Sequence, residues 1–136
     1  MEDRYLYRAK RKDNGEWVQG YYVKGLDMYD KEIHLIFEPA TSFYSNGETA
    51  GWHEIDPSTI CKCTGLKDKN GKMIWENDII TCICGAAKVV WDMSQWRMKF
   101  LTYCIWRRDL YFWVSGYSVE VIGNIFDNPE LLESEE

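Results

Sequence analysis

The apolar and aromatic residues of this chain fall in short runs of alternating sidedness, cut every few positions by Gly, Asn, Asp or Pro. A period of two marks strands that bury one face, so the pattern confines the fold to strands joined by turns, with room for one short helix. With 46% hydrophobic and 28% charged residues the chain is globular rather than disordered. Its 136 residues suffice for one domain, or for two small parts sharing one.

Tyr5 to Arg11 and Trp17 to Val23 flank Asp13-Asn14-Gly15 and read as a hairpin. In Glu32 to Phe37, Ile33, Leu35 and Phe37 alternate with Glu32, His34 and Ile36, which places His34 on the polar side. Residues 39–58 read as a long loop holding a short strand near Gly51 to Ile55. Ile60 to Thr64 and Met73 to Trp75 flank a turn at Asp68-Lys69-Asn70-Gly71-Lys72, whose Asn-Gly is suited to positive φ. Ile79 to Cys84, Lys88 to Asp92, Trp96 to Ile105, Tyr111 to Val114 and Val119 to Phe126 then follow as five short strands. Such spacing predicts a small closed barrel over 75–126, of the size of an SH3 domain. A short helix is expected at the end, where Asn128-Pro129-Glu130 supplies an N-cap, a first-turn proline and an acid. The expected organisation is one all-β domain, with an N-terminal β part over 1–60, a barrel region over 61–126 and an acidic tail over 127–136.

No apolar segment reaches membrane-spanning length, and Met1-Glu2-Asp3-Arg4 opens no secretory signal, so the expected location is the cytoplasm. Five cysteines, Cys61, Cys63, Cys82, Cys84 and Cys104, are an odd number and are read as reduced. Cys61-x-Cys63 and Cys82-x-Cys84 would each place two thiols on one face of a strand, roughly 6.6 to 7 Å apart at Cα. Four thiolates could converge on zinc were those strands neighbours, but structural zinc sites space their ligands as C-x₂₋₄-C, so core packing is the expected role and no metal is assigned. Gly65 to Met73 fails as a phosphate loop, with five residues between Gly65 and Gly71 and Met73 in place of a hydroxyl. It fails as a calcium loop because Gly71 directly follows Asn70 and the later ligands are missing. The two histidines, His34 and His53, stand in no recognisable nucleophile–base arrangement, so no catalytic residue, enzyme activity or cofactor is expected.

Charge is uneven along the chain. The total is −6, made of −4 over residues 1–60, +3 over 61–126 and −5 over 127–136. That balance argues against a protein that coats duplex DNA. Within 61–126 the cations Arg97, Lys99, Arg107 and Arg108 are interleaved with Trp96 and Trp106. A cationic surface with aromatic platforms suits single-stranded nucleic acid, and this is the alternative reading of the chain's function. The leading reading rests on 7 Trp, 9 Tyr and 5 Phe, more aromatic surface than a small β-domain can bury. Aromatic residues left at the surface favour self-association or binding of another protein.

The run Thr64-Gly65-Leu66-Lys67-Asp68-Lys69-Asn70-Gly71-Lys72, followed by Met73-Ile74-Trp75-Glu76-Asn77-Asp78-Ile79-Ile80, resembles the signature of the YopX family of phage and prophage proteins. The closing Val121-Ile122-Gly123-Asn124-Ile125-Phe126-Asp127-Asn128-Pro129-Glu130-Leu131-Leu132 is similar to that family's ending. Tyr7-Arg8-Ala9 with Gly15-Glu16-Trp17-Val18 is similar to its start. Asn77 stands where the family usually has glycine, and asparagine also tolerates the left-handed conformation. The resemblance implies a phage or prophage protein of a bacterial host, built of two β parts with an SH3-like C-terminal portion. It carries over no catalytic or binding residues. The homo-oligomer and the unidentified phage or host protein partner are expectations from the aromatic surface.

Overall fold

A computed structural model describes residues 5–38, 51–100 and 108–132, and these form two compact units, residues 1–62 and 63–136. The structure is mostly strand, in two antiparallel sheets.

Unit 1 is built on β1 (Tyr7–Lys10), β2 (Trp17–Leu26), β3 (Glu32–Phe37) and β4 (Trp52–Glu54), paired in the order β4-β3-β2-β1. β1 also pairs with the start of β5 (Cys61–Lys67), Arg8 standing opposite Cys61. The β1–β2 turn is fixed locally: Gly15 has φ 73, its N–H donates to Arg11 O at 2.9 Å, and Asn14 Oδ1 accepts from Glu16 N at 2.9 Å. Asp56 caps a 3₁₀ turn at Pro57–Thr59, and Thr59 Oγ1 accepts from Lys10 N at 2.8 Å. The core consists of Ala9, Ile36 and Ile55, with Tyr7, Val18, Tyr22 and Ile60 packed around them. Gly20 is required by close approach, because a Cβ there would stand 2.0 Å from Phe37 O.

The sidedness of β3 is the reverse of the sequence expectation. Ile36 is fully buried, so the face bearing Glu32, His34 and Ile36 is the inner one, while Phe37 is 41% exposed on the outer face. A six-residue strand with three apolar residues on one side and an Ile on the other does not reveal its buried face by count. The register against β2 decides it, with Ile36 opposite Tyr22 and Phe37 opposite Tyr21.

In unit 2 the rest of β5 pairs with β6 (Met73–Trp75), and a second sheet runs β10-β7-β8-β9. Its strands are β7 (Asp78–Cys82), β8 (Gly85–Asp92), β9 (Gln95–Phe100) and β10 (Glu120–Asn124). Ile74, Ile80, Ala87, Val89, Met98, Leu110, Trp113 and Val119 form its core. The described residues close no barrel; both sheets are open.

Tyr111 to Val114, expected as a strand, lies in the helix α1 (Leu110–Gly116). Asp109 caps it, Oδ2 accepting from Phe112 N at 3.3 Å, and Leu110 and Trp113, three apart, turn into the core. Five consecutive apolar and aromatic residues, Leu110 to Val114, carry no readable period, whereas the preceding aspartate is a readable cap. The chain ends its described part in a 3₁₀ helix at Pro129–Leu132. Asn128 contributes its carbonyl to Leu131 N there, but its side chain accepts from Asn124 N instead. Trp96 to Ile105 is realised as Gln95–Phe100, and residues 101–105 lie outside the described part.

Candidate functional site

The residues of the sequence signature in unit 2 are occupied by the backbone. Thr64 Oγ1 donates to Ile74 O at 2.6 Å and accepts from Leu66 N at 3.1 Å, joining the two strands of the hairpin. Asp68 is buried at the hairpin tip: Oδ1 accepts from Asn70 N and Lys72 N, both at 2.9 Å, and Oδ2 accepts from Val121 N at 3.0 Å. Burial works to raise its pKa, but the donations from Val121, Lys72 and Asn70 outweigh it and hold the carboxyl below its ordinary value. Of the Asn-Gly pair only Gly71 has a positive φ, at 79, so the loop is not the two-residue turn expected. Asn77 takes φ 69 and Asp78, 1% exposed, accepts from Trp75 N at 2.8 Å through Oδ2. Buried Asn124 accepts from Phe126 N and Asp127 N, both at 2.9 Å. These side chains replace water for buried backbone N–H groups, which explains their presence without a ligand.

Unit 1 presents an open apolar surface instead. Directly paired residues share a face, so Tyr21 with Phe37, Val23 with Leu35, and Phe37 with Trp52 define one outer side of β2, β3 and β4. Tyr21 is 37% exposed, Val23 45%, Phe37 41% and Trp52 46%. Farther along the same side, Arg8 and Lys10 lie 4.8 and 5.4 Å from the ring of Trp17. At the margin, Arg11 pairs with Asp13 at 2.6 Å and Lys12 with Glu54 at 3.2 Å, so the charges there are balanced. A cleft of about 520 Å³ lies at this margin, lined by Arg11, Lys12, Asp13, Trp52, His53 and Glu54. The aromatic count signalled such a surface, but only the β3 sidedness shows which residues form it.

The inner side of the same sheet carries a polar chain. Tyr22 Oη bonds His34 Nδ1, His34 Nε2 is 3.4 Å from Glu32 Oε1, and Lys24 Nζ is 3.0 Å from the same oxygen. Burial raises the Tyr22 pKa. His53 Nε2 lies 3.3 Å from Glu38 Oε1. The two histidines therefore serve separate contacts and do not form a joint site.

The sequence-predicted nucleic-acid residues are divided by the sheet. Arg97 and Lys99 project from one side of β9, and Arg108 lies alongside, its carbonyl accepting from Met98 N at 2.7 Å. Trp96 is on the opposite side, packed against the core and against Trp91 with ring centroids 5.0 Å apart. Trp106 and Arg107 lie outside the described residues. Cys61 and Cys63 are buried, with Cys61 Sγ donating to Thr59 O at 3.3 Å and Cys63 Sγ accepting from Gly65 N at 3.4 Å. Cys82 and Cys84 pack against the unit 2 core, and Cys104 lies outside the described residues. Among the described residues no group of three or more His, Cys, Asp or Glu is placed to hold a metal ion. No described helix is long and apolar enough to cross a membrane.

The YopX protein family model matches residues 6–133. Among solved structures the chain is similar to the crystal structure of protein EF1440 from Enterococcus faecalis. That likeness has 25% identity and a TM-score of 0.56, and covers 94% of this chain and 97% of that one. No curated protein gives a significant match.

Proposed function

The chain belongs to the YopX family, and we propose that it is a non-enzymatic phage-type protein that works by association through the outer face of unit 1. A second copy of the chain is its first partner. The observation that carries this reading is a sheet apolar on both sides: one side buries Ala9 and Ile36, while the other leaves Tyr21, Val23, Phe37 and Trp52 between 37% and 46% exposed. Contiguous exposed apolar surface of this kind marks protein interfaces. A self-complementary interface sets the same patch of both copies face to face, and an uncharged centre with paired charges at its margin meets itself without like-charge repulsion. The signature residues support a non-catalytic role, since their polar atoms are turned to the backbone. Cytoplasmic location and a phage or host protein as a further partner belong to the same reading. Sedimentation velocity at tens of micromolar tests it: a species heavier than the monomer is expected, and a strict monomer contradicts it. In the nucleic-acid alternative, which uses Arg97, Lys99, Arg107 and Arg108 with Trp96 and Trp106, Trp96 is less suited as a platform because it stands on the opposite side of β9 from Arg97 and Lys99.

A further inference from the structure

We propose that the outer side of the β8–β9 hairpin in unit 2 binds the sugar–phosphate backbone of a single-stranded nucleic acid, through Lys88, Arg97, Lys99 and Arg108 and without base stacking. This is independent of the association reading, which concerns unit 1. Register places Lys88 directly opposite Lys99 and Val90 opposite Arg97, so three cations share one side of two adjacent strands. Arg97 and Lys99 stand two apart on β9, and the bridge between Arg97 and Asp109 brings Arg108 beside them. A cleft of about 410 Å³ is lined by Val90, Asp92, Arg97, Lys99 and Arg108, among others.

Two physical points give this cluster a ligand. Like charges directly opposite on paired strands destabilise a sheet, so the Lys88–Lys99 pair opposes folding rather than aiding it. Among the described residues none of the four cations forms an ion pair. Arg97 contacts Met93 Sδ at 3.5 Å, Asp92 is the one carboxylate lining the cleft, and Asp109 is taken up in capping α1. An anion with several charges would relieve the repulsion. A protein partner suits the face less well, since protein interfaces deplete lysine at their centres and here lysine is central; of the apolar residues at the cleft, Val90 stands among the cations while Met98 and Phe100 pack into the core. A phosphate backbone supplies charge at every unit and needs no apolar core. Of the aromatic residues of the hairpin, Trp91 and Trp96 face the other side, and Phe100, which reaches the cleft, packs against the unit 2 core and the ring of Trp113.

Fluorescence anisotropy of a labelled 20-mer of oligothymidylate, titrated with the full chain at rising salt, tests the proposal. Binding at low salt is expected to fall with added salt, with a log–log slope of about −0.7 for each phosphate neutralised, so roughly −2 to −3 in all. An abasic backbone of the same length should bind about equally. Lys99→Glu converts the like-charge pair with Lys88 into an opposite-charge pair, so it favours folding while weakening binding tenfold or more. No binding at low salt overturns the proposal, as does unchanged binding by folded Lys99→Glu. So does a tenfold loss on the abasic probe, or displacement of the oligonucleotide by an equal concentration of polyglutamate.

Discussion

The tip of the β5–β6 hairpin in unit 2 and the outer side of β2–β4 in unit 1 handle their side chains in opposite ways. At the tip, a carboxylate is turned inward and surrounded by backbone N–H groups of Asn70, Lys72 and Val121. On the outer side, tyrosine, valine, phenylalanine and tryptophan are turned toward solvent. The contrast separates two reasons for a distinctive sequence. Polar residues turned inward are explained by folding, because a buried N–H without an acceptor is costly. Apolar residues turned outward are not explained by folding and point to a partner.

The largest effect should come from the inward carboxylate. Asp68→Ala leaves three backbone donors without their acceptor and should cost about 3 kcal/mol, read as a lower denaturation midpoint. The pH dependence follows from the lowered pKa. The stabilisation is complete above the unfolded carboxyl value of about 3.9 and is lost as pH falls through the lower folded value. The gap between wild type and Asp68→Ala should therefore narrow in acid, and a constant gap would break the assignment. In unit 1, Gly20→Ala sets a methyl group against Phe37 O and should cost about 2 kcal/mol by forcing the strands apart. Chemical denaturation checks it, and a neutral result would show that β3 is not held where the outer face requires.

A smaller, stabilising effect is expected at the β8–β9 turn. Met93 and Ser94 occupy positive φ, at 51 and 61, a conformation that suits Asn-Gly. Met93→Asn with Ser94→Gly should raise stability by about 1 kcal/mol, seen as a higher melting temperature. The smallest change should follow Trp52→Ser: stability of the dissociated chain should move by less than about 0.5 kcal/mol, because Trp52 is not a core residue. A large loss would return that face to the core and erase the contrast between the units.

Much of the strand map was legible because β3 and β6 are bounded by clear turn signals, and Asp13-Asn14-Gly15 and Asn70-Gly71 mark hairpins. Helix α1 is not legible in the sequence because its apolar residues are consecutive, and in so short a segment the spacing of Leu110 and Trp113 emerges only once Asp109 is recognised as a cap. Barrel closure is not legible in the sequence: short strands at regular spacing are common to closed barrels and open sheets, and closure depends on pairings that spacing does not encode. The outer face of unit 1 was legible in part. The aromatic count announced exposed rings, but the side taken by Ile36, and with it the exposure of Phe37, is set by long-range pairing. The separation of Trp96 from Arg97 and Lys99 was visible in the alternation itself.

The association claim is tested most directly by sedimentation equilibrium of the wild type beside the Phe37→Ser/Trp52→Ser double variant, at matched tens-of-micromolar concentration. The account predicts a self-associating wild type and a folded, monomeric variant. A variant that associates as strongly as the wild type, or a wild type that is monomeric throughout, would contradict it.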